Sequence, residues 1–335
     1  MNKIFVIVGP TSSGKSELAV KFAKRFNGEI ISCDSRQIYK GMDLGTGKVM
    51  GNWQPFPIVR HPEPTAPGDE FIKLSKVYTS LNHGSDFNKY FIYKNIPHHL
   101  IDVINPKRRY SAALFQRDAK KAIKDIFARG KLPILCGGTA HWIDAVVYNQ
   151  MIPDVKPNLK LRMKLEKKSA DNLYRRLKKL DPVRAKNIDK SNKRRLIRAL
   201  EIVITTGKPV PTLSTDHYSL PTYNALWLGI NPPQKELFAK IKKRLKQRLS
   251  LGVVKEVLKL HRQGLSWKKL ESFGLEYKFI ALYLQKKITY DEMFEQLLLA
   301  IQHYSKRQMT WWKGNKNIKW IIKPADGQKL VKNFI

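Results

Sequence analysis

The chain opens on an uninterrupted apolar run, Ile4-Phe5-Val6-Ile7-Val8, which reads as a strand buried on both faces. A glycine loop follows, and then Glu17-Leu18-Ala19-Val20-Lys21-Phe22-Ala23 takes up helical spacing. The same strand pattern returns at Glu29-Ile30-Ile31-Ser32-Cys33, which ends at Asp34, and at Leu132-Pro133-Ile134-Leu135-Cys136, which runs into Gly137-Gly138-Thr139. Residues 41–70 are rich in Gly and Pro and read as loop. Phe71 to Leu81 fits a short helix, Tyr90-Phe91-Ile92-Tyr93 an extended segment, and His98 to Val103 a further strand. Ser111 is placed to cap an amphipathic helix from Ala112 to Arg129, which Gly130 stops. Strands alternating with helices predict a parallel sheet, with any ligand at the carboxyl ends of its strands.

From about Pro153 the texture changes. Strand-like runs give way to basic amphipathic helices, interrupted at Asp181-Pro182. Trp227-Leu228-Gly229-Ile230 is the clear later strand and is expected to return to the sheet. Helices are predicted over Lys235–Leu251, Val253–Arg262, Lys278–Gln285 and Tyr290–Thr310, and Ile318 to Ile322 suits an edge strand.

Composition narrows the function classes. No apolar run approaches the roughly 18 residues of a membrane helix, so no membrane association is expected. The opening run leads straight into the glycine loop and so reads as core strand rather than signal peptide. Cys33 and Cys136 each sit at an expected strand end and read as small buried residues of a cytoplasmic protein, without a disulfide. Lys and Arg number 63 against 27 Asp and Glu, a formal net charge of +36 over 335 residues. Residues 150–195 alone hold sixteen Lys/Arg against five Asp/Glu, and a second cluster runs Lys240, Lys242, Lys243, Arg244, Lys246, Arg248. Clustered positive charge favours a polyanionic partner over a uniformly solvated surface.

The candidate chemistry lies in the glycine loop, Gly9-Pro10-Thr11-Ser12-Ser13-Gly14-Lys15-Ser16. Between a strand and a helix, this GxxxxGK[ST] pattern turns backbone N–H groups toward one point and directs a helix N-terminus there; Lys15 adds a charge. Ser16 is placed to hold Mg²⁺ through its hydroxyl. The ligand is a di- or triphosphate. Asp34, at the end of the neighbouring strand, has two chemical readings. It either positions Mg²⁺ or accepts a hydroxyl proton, as in small kinases, or accepts a proton from the exocyclic amine of a base. A plain strand-end carboxylate is the third reading. Ser35, Arg36 and Gln37 are donors and acceptors suited to a base edge.

The stretches GPTSSGKS, DSRQIYKGMDLGTGK, PHHLIDV, YSAALFQRDA, GGT, RRLIRALEI and SKRQMTWWKG, in that order, resemble the tRNA dimethylallyltransferase (tRNA isopentenyltransferase) family. The resemblance spans nearly the whole chain. It implies an α/β fold with a P-loop NTPase-like parallel sheet flanked by helices, over residues 1–150 and 196–335. An all-helical insertion at 151–195 would bind the tRNA anticodon stem, and an extended loop insertion would occupy 49–95. It further implies transfer of a prenyl group from dimethylallyl diphosphate to N6 of the adenosine at position 37 of tRNA. Gly9 to Ser16, with Arg244, would hold the diphosphate. Lys15, Thr11 and Ser16-bound Mg²⁺ would stabilise its growing charge, and Asp34 would take the proton. Asp34, Ser35, Arg36, Gln37 and Thr139 would meet the adenosine, and Arg194, Arg195 and Arg198 the stem. A monomer suffices for this chemistry.

Several positions depart from the pattern. Ala140-His141-Trp142 replaces a Gly-Leu-Tyr, Gln234 and Lys240 stand where arginines are usual, and 49–95 is long. A kinase or ATPase of a small substrate, and an RNA-binding homologue with impaired catalysis, are the competing readings. His98-His99 lacks partners spaced for a metal site and reads as structural. Trp311-Trp312 suits either RNA stacking or core packing.

Overall fold

The computed structural model describes residues 2–55, 89–153, 155–211, 223–321 and 324–335. Contacts divide the chain into two units, Met1–Val147 with Thr222–Ile335, and Tyr148–Pro221.

The first unit is built on a sheet whose described strands are β1 (Lys3–Val8), β2 (Gly28–Ser32), β3 (Asn52–Pro55), β4 (Lys89–Tyr93), β5 (Ile96–His99), β6 (Leu132–Cys136), β7 (Asn224–Ile230) and β8 (Ile318–Ile321). Their order is β3-β4-β5-β2-β6-β1-β7-β8. β5 through β8 run parallel; β3 and β4 extend the edge antiparallel. β1 is buried from Ile4 to Val8 and pairs on both sides, Val6 opposite Leu135 and Trp227. An unbroken apolar run is what a strand paired and covered on both faces demands. Because β2, β6 and β1 are adjacent, the glycine loop, Asp34 and Gly137-Gly138-Thr139 leave the sheet side by side. Cys33 N donates to Cys136 O at 2.8 Å and Thr139 N to Cys33 O at 3.1 Å, so two of these exits are stitched together.

Helices α1 (Lys15–Arg25), α2 (Ala112–Ala128) and α3 (Ala140–Val147) follow β1, precede β6 and follow β6. Ser111 caps α2, its hydroxyl accepting from Leu114 N at 3.2 Å. After β7 come α8 (Gln234–Ser250), α9 (Val253–Arg262), α10 (Trp267–Phe273), α11 (Leu275–Leu284) and α12 (Tyr290–Lys313); α13 (Pro324–Phe334) follows β8. Numbers four to seven belong to the second unit. The 24 residues of α12 start from a capping box, Thr289 with Glu292, and bury Trp312 against Trp227.

Several expectations are corrected. The strand expected over His98–Val103 stops at His99. Leu100 and Asp102 take left-handed φ of 60° and 55°, and the turned chain instead pairs Val103 N with Ile38 O at 2.8 Å. Within the Gly/Pro-rich 41–70, Asn52–Pro55 is an edge strand, held by Trp53 edge-on to Phe91 at 5.9 Å. Pro55 is tolerated there because an edge strand has N–H groups to spare. The helix expected to begin at Lys278 begins at Leu275, directly after Gly274 turns the chain at φ 76°. Trp267–Phe273 and Pro324–Phe334 are helices that spacing did not reveal, although Ser266 caps the first, accepting from Lys269 N at 3.2 Å. The helix expected at Phe71–Leu81, and most of the 49–95 insertion, lie outside the described residues.

The second unit holds α4 (Leu159–Glu166), α5 (Ala170–Leu180), α6 (Pro182–Lys186) and α7 (Lys193–Thr206) around Leu165, Leu173, Leu177, Leu196 and Leu200. Asn158, Ser169, Asp181 and Asn192 cap the four in turn. The expected boundary at 195/196 falls inside α7. This helix packs its apolar face on α5, so the unit runs from Tyr148 to Pro221 rather than 151–195.

Candidate active site

The glycine loop bends through three residues of positive φ, Gly9 (152°), Ser12 (64°) and Gly14 (90°). Gly9 admits no side chain: a Cβ would stand 2.7 Å from Ile230 O. Ser12 Oγ and Ser13 Oγ are buried and have no hydrogen-bond partner among the described residues. Buried hydroxyls ordinarily find partners, so two orphans in one loop mark a place built for external oxygens. Lys15 Nζ donates to Pro10 O at 3.1 Å. Burial lowers its pKa and Arg244 adds to that, while Cys136 and Asp34 oppose it. Ser16, at the start of α1, is exposed.

Thr11 ties the loop to distant parts of the chain. Its N–H donates to Gln308 Oε1 at 2.8 Å, and Gln308 Nε2 donates to Gly138 O at 2.9 Å. One amide on α12 thus joins the loops after β1 and β6. A Cβ at Gly138 would sit 2.2 Å from Gln308 Nε2, so a side chain there would displace that amide. Arg244 Nη2 donates to Thr11 Oγ1.

Beside Thr11 opens a cavity of about 310 Å³. Asp34, Ser35 and Arg36 form one wall, Arg244 and Arg248 another, and Phe273, Leu275, Tyr277, Ile301 and Tyr304 an apolar and aromatic one. Asp34 is fixed by an Asx turn, Oδ1 accepting from Arg36 N at 2.9 Å, and Ser35 N donates to Thr139 Oγ1 at 3.1 Å. Burial lowers the Arg244 pKa to about 9; the Arg248 charge adds to this, while Glu276 and Asp34 oppose it. Arg248 Nη1 donates to Glu276 Oε1 at 2.9 Å. Four guanidiniums, those of Arg36, Arg244, Arg248 and Arg307, therefore line the cavity against the carboxylates of Asp34 and Glu276, a net attraction for an anion. Tyr304 keeps its proton, because burial and the charge of Asp34 raise its pKa.

The loop over the cavity is pinned from α9. Glu256 accepts the N–H groups of Asp43, Leu44 and Gly45 at 3.0, 2.7 and 3.1 Å, and the Tyr277 hydroxyl at 2.7 Å. Buried Lys48 bridges Asp43 and Asp102.

The sequence-derived site is thus partly assembled. Thr11, Asp34, Ser35, Arg36 and Arg244 meet at the cavity, and Thr139 supports Ser35. Gln37 does not line it: Nε2 donates to Gly47 O at 3.3 Å and Oε1 accepts from Ser32 Oγ at 3.0 Å. Gln234 and Lys240 are exposed on α8, outside the cavity lining, so these departures leave Arg244 in place. Ala140 is buried at the start of α3, and Trp142 stacks on Phe115 at 4.3 Å. His99 Nε2 pairs with the buried Glu29 carboxylate at 2.7 Å, a structural role. Trp312 is core, whereas exposed Trp311 donates from Nε1 to Asp144 at 2.8 Å. Arg248, Glu276, Tyr304, Gln308 and Glu256 were missed. Arg248 alone had a local signal, four residues after Arg244 on the same helix face.

In the second unit Arg194 and Arg195 are exposed. Arg198 is committed to Glu201 Oε2 at 2.6 Å and Val155 O at 3.1 Å; Arg162 also grips Glu201. No helix among the described residues is long and apolar enough to cross a membrane.

This geometry has close counterparts in known proteins. The family model for IPP transferase matches residues 76–315, and that for isopentenyl transferase matches residues 2–52. A tRNA dimethylallyltransferase of Acetivibrio thermocellus is 36% identical over 341 residues, covering 100% of this chain and 96% of that protein. That of Anoxybacillus flavithermus is 35% identical over 319 residues, covering 95% and 89%. The crystal structure of the tRNA isopentenylpyrophosphate transferase of Bacillus halodurans superposes with a TM-score of 0.64 at 30% identity, covering 100% of this chain and 95% of that one. A eukaryotic dimethylallyltransferase acting on tRNA gives 0.65 at 25% identity, over 93% and 70%. With a full-length sequence match and a cavity that joins the glycine loop to Asp34, the chain belongs to the IPP transferase family.

Proposed function

We propose that the chain transfers the dimethylallyl group of dimethylallyl diphosphate to N6 of the adenosine at position 37 of tRNA, acting as a monomer in the cytoplasm. The carrying observation is the convergence on one cavity of a carboxylate, a guanidinium pair and an aromatic wall. The reaction needs all three. The allylic C–O bond breaks and the diphosphate leaves with both bonding electrons. Its growing charge would be met by loop N–H groups, Ser12 and Ser13 hydroxyls, Lys15 and Arg244. N6 forms the new bond to the allylic carbon, and Asp34 accepts the proton that N6 loses. The apolar wall of Leu275, Ile301 and Phe273 suits a five-carbon chain and keeps water from the reactive carbon. The base must leave its stack to enter.

The exposed hydroxyl of Ser16, at the start of α1, would hold Mg²⁺. The metal would add neutralising charge on the leaving group. Arg194 and Arg195, exposed on a basic helical unit, suit the phosphates of the anticodon stem.

The test is incubation with labelled dimethylallyl diphosphate and unmodified tRNA carrying adenosines at positions 36 to 38. Label is expected in the RNA. Asp34→Asn is expected to lower transfer about 10²- to 10⁴-fold with tRNA binding intact. ATP turnover without label transfer would point to a kinase, and tRNA binding with neither activity to an impaired homologue.

A further inference from the structure

Outside the glycine loop and the second unit, Arg36 on the cavity wall gathers two further cations beside the cavity, Lys269 and Arg109. Arg36 and Lys269 share one ring: the Arg36 guanidinium carbon lies 5.7 Å from the centroid of Phe273 and Lys269 Nζ lies 5.1 Å from it. Arg36 is aimed by its own bonds, Nε to Phe273 O at 2.8 Å and Nη1 to Ser35 O at 3.4 Å. Lys269 reaches back to Arg108 O at 3.5 Å, which brings the exposed Arg109 beside it. Burial lowers the Lys269 pKa, and the charges of Arg109 and Arg36 lower it further. Among the described residues no ion pair engages Arg36, Arg109 or Lys269.

Like charges held together without a carboxylate raise the free energy of the protein alone, and an arriving anion relieves the repulsion. Surface lysines and arginines are otherwise free to swing apart. Here Phe273, the Ser35 and Phe273 carbonyls and the short helix α10 hold two of them on one ring. Arg36 also lines the cavity that holds Asp34, next to it in the wall.

We propose that Arg36, Arg109 and Lys269 form a binding site for an RNA phosphodiester, the one flanking the base that enters the cavity. This rests on the proposed function, since it takes the cavity to receive an extruded base. A base drawn out of its stack brings its own backbone to the cavity mouth, and the energy lost in unstacking must be recovered there. Arg36 would then act on the backbone rather than on a base edge. Arg109 is exposed, so the site opens to solvent and admits a chain passing through it rather than a small enclosed anion. The site would hold the reacting nucleotide independently of the stem contacts made by the basic insertion.

The test uses the full chain and an unmodified anticodon stem–loop RNA, without prenyl donor, with affinity read by fluorescence anisotropy across a salt series. The double variant Arg109→Gln/Lys269→Gln is expected to weaken binding about tenfold and to flatten the log–log salt slope by roughly one. Arg109→Lys/Lys269→Arg, which keeps the charges, is expected to retain the wild-type slope. The control Lys21→Gln/Lys24→Gln removes the same charge from the exposed face of α1 and is expected to leave the slope as it was. An unchanged slope in the first variant, or an equal change in the control, overturns the site. Label transfer by the wild type, measured separately, judges the proposed function: transfer without the slope response removes the site alone. A slope response without transfer removes the prenyl reading and leaves a phosphodiester site.

Discussion

Gly47 has φ of 64°, and a Cβ added there would stand 1.6 Å from Arg248 Nη2. The glycine is therefore part of the proposed anion site, because it is the space into which the Arg248 guanidinium fits while bonded to Glu276 and Gly45 O. Gly47→Ala would cost about 1 kcal/mol for the left-handed backbone alone. Relief of the clash would also push Arg248 off its partners and disturb Arg244 beside it. Transfer is expected to fall at least about tenfold, chiefly through weaker donor binding, while tRNA affinity holds. Steady-state kinetics with each substrate varied in turn, beside thermal melting, read both effects. A variant matching the wild type in donor KM would show that Arg248 does not serve the anion.

At the scale of elements, α7 is where the second unit is most exposed to acid. Glu201 on this helix is buried and takes hydrogen bonds from Arg162, Arg198 and the N–H of Asn158. Burial pushes its pKa up, but these partners outweigh burial and bring it down to about 2. A depressed carboxyl contributes stability that is present above its unfolded value, near 4.5, and lost as pH falls toward about 2. Glu201→Gln, which leaves two partly exposed guanidiniums without their charge partner, is expected to destabilise the unit by about 2 kcal/mol at pH 7. The difference between wild type and variant should shrink as pH falls through that window. Chemical denaturation at several pH values, followed in the second unit, would expose a constant difference if the carboxylate carried no such linkage.

β1, β2 and β6 were legible because central parallel strands must be apolar throughout, and α2 because Ser111 and Gly130 bracket an amphipathic stretch. The end of β5 was not, since Leu100 adopts a left-handed turn that nothing in its side chain announces. The first half of the site was legible for a related reason: Thr11 and Asp34 sit at strand exits whose order follows from topology. Its second half was not. Gln308 and Tyr304 come from a helix some 270 residues after Asp34, and only tertiary packing brings that face to the loop. Gln37 shows the opposite failure, a polar residue in a promising motif whose hydrogen bonds close inward.

For the whole molecule, a net charge of +36 sets how its two proposed substrates respond to salt. RNA bound across exposed lysines and arginines displaces condensed counterions, and each phosphate neutralised adds to the steepness of the loss. The small diphosphate instead meets partly or wholly enclosed groups at Thr11, Lys15 and Arg244, where screening by mobile ions is weaker. Between about 50 and 200 mM salt, KM for tRNA is therefore expected to rise by orders of magnitude, while KM for dimethylallyl diphosphate changes only a few-fold. Arg194→Gln/Arg195→Gln should flatten the tRNA response without altering the donor response, because both side chains are exposed in the helical unit. Parallel salt dependence of the two KM values would mean that the excess charge acts on both ligands alike, and that the enclosed clamp around Thr11 does not shield its anion from the bulk electrolyte.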